Sequence, residues 1–496
     1  MGIIAGWLVP HPPLIFPEVG QGKENEIAAT VASYKEMADW VAAARPDTVV
    51  ILSPHAQMYA DYFHISPGEG AAGDMKAYGV SGVDVRADYD AEFVETLAQA
   101  CDSIDFPAGT QGEKNKALDH ATAIPVRFIL EAWEAAEHGN DAMAEATGSE
   151  KTAAANQPEN DEPTGVPSPK FVRVGMSGLP LAAHYNLGAL IAEAAEWLGR
   201  KVVVIASGDL SHKLKNVGPY GFSPEGPEFD KTICEIAGDA DFSRLFAMDE
   251  AFCEKAGECG HRPLVMMAGA LDKKAVEPKL YSYEGPFGVG YGVASFIVKG
   301  ADESRDFLDQ YMEADRKRAA ARRFNESPHV KLARQTVENY VRTGRVYENP
   351  EELHKALTAG RAGVFVSIKK QGDLRGCIGT ISPVTENIGE EIRANAVSAA
   401  TRDPRFSAVE EEELPYLEYS VDVLAPAEPV ESADDLDPAK YGVIVSLGGK
   451  RGLLLPDLDG IDDAETQIGI AMRKAGIAEK DRARVTLERF EVIRYR

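Results

Sequence analysis

Ten histidines are an ordinary number for a chain of 496 residues, but three of them stand in equivalent places. His11 follows the apolar run IIAGWLVP, His55 follows VVILSP and His212 follows VVVIASGDLS. Each run reads as a buried strand, so each histidine falls just past a strand's C-terminal end. In a parallel sheet those ends share one edge, and ligands bind outside it. Imidazoles gathered there can ligate a metal or move protons near neutral pH. One such histidine by itself is more often a cap or a surface residue. The prolines of PHPP (10–13) and SPH (53–55) fix the backbone around two of them. An oxygen-activating iron site needs two imidazoles and one carboxylate on one face, with positions left open. Glu258, bracketed by Gly257 and Gly260 in AFCEKAGECGHRPLVMMAGAL (251–271), is the carboxylate candidate, with Cys259 as the alternative. Glu258 also reads as a first-turn acid favoured by the helix dipole, Cys259 as a small buried residue and His261 as a surface residue.

The elements that must position these residues alternate. TVVILSPH (48–55), KFVRVGMSGLP (170–180) and KVVVIASGDLSH (201–212) are β-branched runs separated by helical stretches such as LGALIAEAAEWLGR (187–200). This alternation predicts an α/β domain, a mostly parallel sheet flanked by helices, and continuous apolar strands suit burial on both faces. YSYEGPFGVGYGVASFIVK (281–299) reads as its closing strands. Residues 136–168 are small, acidic and without periodicity, and predict a disordered insertion within residues 1–305. The charged stretch 301–329 reads as a helical connector, placed at 306–324. From 325 to 496 the rhythm is that of a smaller α+β domain, with helices at 331–344 and 385–401. A hairpin is expected around Gln371-Gly372-Asp373 and another at Gly448-Gly449.

A net charge of -27 excludes a nucleic-acid ligand, which needs a basic face. No apolar run reaches the roughly 18 residues of a membrane span, and the first residues lack the basic region of a signal peptide. A cytoplasmic protein is expected. Five widely spaced cysteines predict neither a disulfide framework nor a CxxC zinc site.

PHPP, SPH, LDHATAIP (118–125), HYNLG (184–188), SGDLSH (207–212) and ECGHRPL (258–264) occur in the order found in class III extradiol ring-cleavage dioxygenases, and residues 1–300 resemble that family. The resemblance implies Fe(II), or another divalent metal, held by His11, His55 and a later glutamate. It implies His212 as the acid/base and His120 against the substrate. The related Memo proteins carry a cysteine as third ligand in a CG-x-x-P context, which Cys259 matches. His184 and Asp209 are expected at the pocket. His184 could equally pack a helix start, and Asp209 could orient His212 or cap the following turn. His64, His138, His329 and His354 read as surface residues. Dioxygen and a small catechol- or aminophenol-like ring are the expected substrates, and a homo-oligomer stays open.

DLRGCIGT (373–380) and SAATRDPRF (398–406) resemble the AMMECR1 domain, a fold without a defined activity. Arg375 and Cys377 are its candidate site, on a strand slim enough for a ligand to approach, with Arg375 lowering the thiol pKa. A buried structural cysteine is the other reading. The fusion resembles proteins of a system that adds a radical S-adenosylmethionine enzyme, an expected partner in a modification pathway without ring cleavage.

Overall fold

A computed structural model describes residues 1–146, 167–324, 326–347, 355–358, 360–370, 373–458, 461 and 463–495. The chain divides into two compact units, Met1–Tyr311 and Met312–Arg496.

The first unit is built on a six-stranded sheet. Its order is Lys170–Gly175, Thr48–Ser53, Lys201–Ser207, Gly2–Val9, Tyr291–Ala301 and Lys274–Glu284. The first four strands are mutually parallel, and the last two close the sheet antiparallel. Along Lys201–Ser207, Val202, Val204 and Ala206 face one hydrophobic core, while Val203 and Ile205 face another. This period of two is why VVVIA has no polar side. Helices cover both faces: Leu181–Trp197, Glu225–Asp239 and His261–Ala270 lie over the first core, and Ala28–Ala44 and His120–Ala146 over the second. Each such buried valine or isoleucine contributes about 1.5–3 kcal/mol.

The helix from His120 runs to Ala146, past the start of the expected disordered insertion. Alanine and glutamate in EAAEHGNDAMAEA continue it, because both are strong helix formers. The rest of the insertion, 147–166, lies outside the described residues.

The second unit holds two four-stranded antiparallel sheets. One has the order Asp373–Gly379, Val364–Lys370, Leu417–Leu424, Val492–Tyr495. The other runs Glu428–Val430, Thr486–Phe490, Gly442–Leu447, Lys450–Leu454. The helix Pro328–Thr343 opens with Ser327, whose hydroxyl accepts the Val330 N–H at 3.3 Å. Gly448 turns the hairpin at φ +60°, where a residue with a Cβ would be strained. Gln371 and Gly372 of the other expected turn, and His354, lie outside the described residues.

Candidate metal centre

The three strands that precede the key histidines are neighbours, in the order Thr48–Ser53, Lys201–Ser207, Gly2–Val9. Their registers pair Leu52 with Ala206 and Val9 with Ser207, so the strands end level. The chain past each end therefore enters one crevice. There the Nε2 atoms of His11 and His55 stand 3.1 Å apart. The His120 ring lies 5.1 Å from that of His11 and 4.5 Å from that of His55. The ligand atoms of all three lie within 4.8 Å of one another. His11 is buried, His120 half-buried and His55 exposed.

A proline sets the proton on His11. Pro125 has no N–H, so the Ala121 carbonyl lacks its helical partner. That carbonyl instead accepts the Ser207 hydroxyl at 2.7 Å. With its hydrogen so placed, Ser207 Oγ can only accept from His11 Nδ1, at 3.1 Å. His11 Nε2 is thereby left with its lone pair directed at His55. A second tether fixes His55. The Ser53 hydroxyl donates to Asp119 at 2.6 Å and accepts the His55 N–H at 3.2 Å. Asp119 also accepts the Thr122 N–H at 3.0 Å at the start of the helix carrying His120.

The two candidates for the third ligand occupy different places. Cys259 Sγ stands 3.5 Å from His11 Nε2 and 3.8 Å from His212 Nε2. Glu258 is engaged elsewhere: its Oε2 accepts the His261 N–H at 2.7 Å, and its carboxylate groups with Cys253 and His261. Two glycines cause this. Gly208 and Gly260 approach so closely that a Cβ on Gly208 would collide with Gly260 Cα. The Cys259 N–H then reaches the Asp209 carbonyl at 3.4 Å, and the thiol is held against the histidines.

Burial sets the protonation. It pushes His120 down to about 4, helped by His55, and His212 down to about 4, helped by His55 and Lys213. His11 is lowered strongly by the same cause and by its three histidine neighbours. The imidazoles are neutral at pH 7, the form that ligates a metal. Asp209 is pushed up to about 7 by burial, against its bond from the His11 N–H at 2.7 Å.

Asp209 thus supports the His11 backbone and makes no bond to the His212 ring, contrary to the expected orienting role. The His212 N–H donates to the Gly257 carbonyl at 2.9 Å, and its ring lies 5.3 Å from that of Tyr220. His184 is fully buried, its Nδ1 3.2 Å from the Pro180 carbonyl and its ring 4.7 Å from Phe63. It packs the start of its helix, and none of its bonded or ring partners belongs to the cluster. His64, His261 and His329 are buried rather than superficial, whereas His138 is exposed. His64 lies on the strand Phe63–His64, whose pairing with Ala108–Gly109 draws it inward.

Ser207, Ser53, Asp119 and Tyr220 escaped the sequence reading. Pro125 within LDHATAIP was the available signal, since a proline inside a helix frees a carbonyl for another donor. Tyr220 is 61% exposed and Tyr78 40%, with Tyr78 5.5 Å from the His120 ring. The two tyrosines supply aromatic surface beside His212 and His120.

The family model described as the catalytic LigB subunit of aromatic ring-opening dioxygenase matches residues 5–294. The chain belongs to that family. Beyond this LigB unit, the AMMECR1 family model matches residues 330–495. A protein of Clostridium acetobutylicum is 34% identical over the whole of both chains. A Thermotoga maritima protein is 51% identical over 172 residues, covering 34% of this chain and 98% of its own. Among solved structures, an uncharacterised Escherichia coli K12 protein is 14% identical with a TM-score of 0.37, covering 59% of this chain and 99% of that one. Among the described residues, no helix is long and apolar enough to cross a membrane.

In the AMMECR1 region the candidate pair departs from expectation. Arg375 is bound to Glu413 at 2.9 and 3.0 Å and to the Ser407 carbonyl at 2.9 Å. Burial pushes the Cys377 thiol up rather than down, and the Ser367 hydroxyl donates to its sulfur at 3.2 Å. A Cβ at Gly376 would collide with the Ala399 carbonyl. The slim strand thus admits the protein's own helix Ile388–Thr401. Asp403 binds Arg405 at 2.7 Å and the Cys377 N–H at 2.9 Å, a structural network.

Proposed function

We propose that the LigB unit is a metal-dependent oxidoreductase acting on a small aromatic ring with adjacent hydroxyl or amino groups. In this reading His11, His55 and Cys259 hold one divalent transition metal. The carrying observation is the convergence of two Nε2 atoms at 3.1 Å and a thiol at 3.5 Å. Ligand atoms roughly 2.1 Å (nitrogen) and 2.3 Å (sulfur) from one ion must stand about 3–3.5 Å apart, and the separations of His11 from His55 and from Cys259 match that spacing. The thiol favours a softer ion than a carboxylate would, iron(II) remaining within that range. When bound, the metal supplies a Lewis-acid centre for the substrate's adjacent heteroatoms and for dioxygen.

The chain's own residues supply the rest. His212, neutral at pH 7 and beside the thiol, takes a proton from the substrate hydroxyl at Nε2 and returns it later. His120 faces the ring, and Tyr78 and Tyr220 offer it flat apolar surface. Ser207 holds the His11 tautomer throughout.

A second reading has a specific observation behind it. With Cys259 rather than Glu258 at the histidines, the site has the donor set of the Memo-like proteins. The LigB unit would then bind metal and work with a radical S-adenosylmethionine enzyme, without ring cleavage. One experiment separates the two. Protein loaded anaerobically with iron(II) is mixed with catechols and aminophenols, and oxygen uptake is followed. The dioxygenase reading predicts uptake that His212→Gln lowers by about 10²–10⁴ with metal content unchanged. Absence of uptake across the panel, with iron bound, rejects ring cleavage and leaves the Memo-like reading.

A further inference from the structure

The residues that leave the first site meet in a second place. The helix Glu250–Ala256 carries Cys253 and stops at Gly257, whose φ of +63° is open to glycine. The helix His261–Ala270 starts four residues on. Cys253 Sγ stands 3.5 Å from His261 Nδ1. The other ring nitrogen of His261, Nε2, is 2.9 Å from the Leu245 carbonyl. A carbonyl can only accept, so Nε2 carries the hydrogen and Nδ1 presents its lone pair to the sulfur. The Glu258 carboxylate completes the group, with one ligand atom from each residue within 4.8 Å of the others. Cys253 and His261 are 8% and 3% exposed.

One imidazole nitrogen, one thiolate and one carboxylate suit a borderline-soft divalent cation, and their two negative charges would neutralise it. The bond from the second ring nitrogen to a backbone carbonyl is the outer support that metal-bound histidines ordinarily have. The His261 N–H donates to Glu258 Oε2 at 2.7 Å, which holds the carboxylate beside the ring.

We infer that Cys253, Glu258 and His261 form a second metal site, for a zinc-like cation, distinct from the one at His11 and His55. Binding exchanges the thiol proton, and any proton on Glu258, for the metal; no electron moves. The cation would pin the two helices on either side of Cys259. It thereby fixes the segment that presents this thiol to the histidines.

The test counts metal on the full chain. Chelator-stripped protein is loaded with cobalt(II), desalted and analysed. The unaltered chain is expected to hold two equivalents and His11→Ala/His55→Ala one. Adding Cys253→Ser to that double variant should leave none. The double variant should show sulfur-to-cobalt charge-transfer absorption, which needs no variant at Cys253. Binding of a single equivalent that disappears with His11→Ala/His55→Ala would overturn the inference, reducing Cys253 and His261 to a hydrogen-bonded pair. So would a residual equivalent without the sulfur band. Retention of two equivalents by His11→Ala/His55→Ala, with one lost on Cys253→Ser, would contradict the first site and support this one.

Discussion

At the residue scale the site rests on one proton. Pro125, the Ala121 carbonyl and Ser207 form a relay that keeps the hydrogen of His11 on Nδ1 and the lone pair on Nε2. Ser207→Ala removes the acceptor and frees the ring to choose the other tautomer. Metal affinity should fall about 10–100-fold, read by competition with a chelator. Unchanged affinity would show that the relay does not orient the ligand. A second residue ties stability to pH. Burial, with Arg262 next in effect, pushes His184 down to about 3. Its folded pKa lies below the unfolded value near 6.5, so its contribution is complete above that pH and is lost as pH falls toward 3. Urea unfolding at pH 7 and pH 5 should show the LigB unit weaker at pH 5. His184→Gln should lessen that difference, and an identical difference would contradict the assignment. The histidines His11, His55 and His212 were legible because each follows an unmistakable strand. The choice between Glu258 and Cys259 was not, because neighbouring residues point to different sides.

At the element scale, packing at glycines sets the Cys259 thiol, and not the Glu258 carboxylate, beside His11. Gly208 follows the strand Lys201–Ser207, and Gly260 precedes the helix His261–Ala270. Their contact presses the segment carrying Cys259 onto the strand end. Gly208→Ala should cost about 1–3 kcal/mol through overpacking and weaken metal binding as Cys259 moves away. Full stability together with full metal affinity would show that the contact yields without consequence. The sheet strands could be read from unbroken β-branched runs, since both of their faces are buried, and most helices from the longer stretches between those runs. The glycine contacts could not, because a glycine in a loop looks alike whether it turns the chain or admits a neighbour. Gly376 makes the same point. It reads as room for a ligand, yet it is filled by the helix Ile388–Thr401.

At the scale of the whole molecule, the two units have separate hydrophobic cores. Heating the full chain should give two transitions. Metal removal should lower only the one belonging to Met1–Tyr311, because a ligand stabilises the unit that binds it. Gly376→Ala should lower only the other, through its collision with Ala399. A single transition shifted by both changes would mean that the units unfold together. The Clostridium acetobutylicum relative matches across both units, so this arrangement is shared at 34% identity.

The central claim is that the thiol of Cys259, rather than the carboxylate of Glu258, completes the first metal site. X-ray absorption on metal-loaded Cys253→Ser protein tests it most directly, because that change removes the thiol of the Cys253, Glu258 and His261 group. The account predicts one sulfur at roughly 2.3 Å beside imidazole nitrogens, and loss of that sulfur when Cys259→Ser is added. A shell of nitrogen and oxygen alone in the Cys253→Ser protein would contradict it.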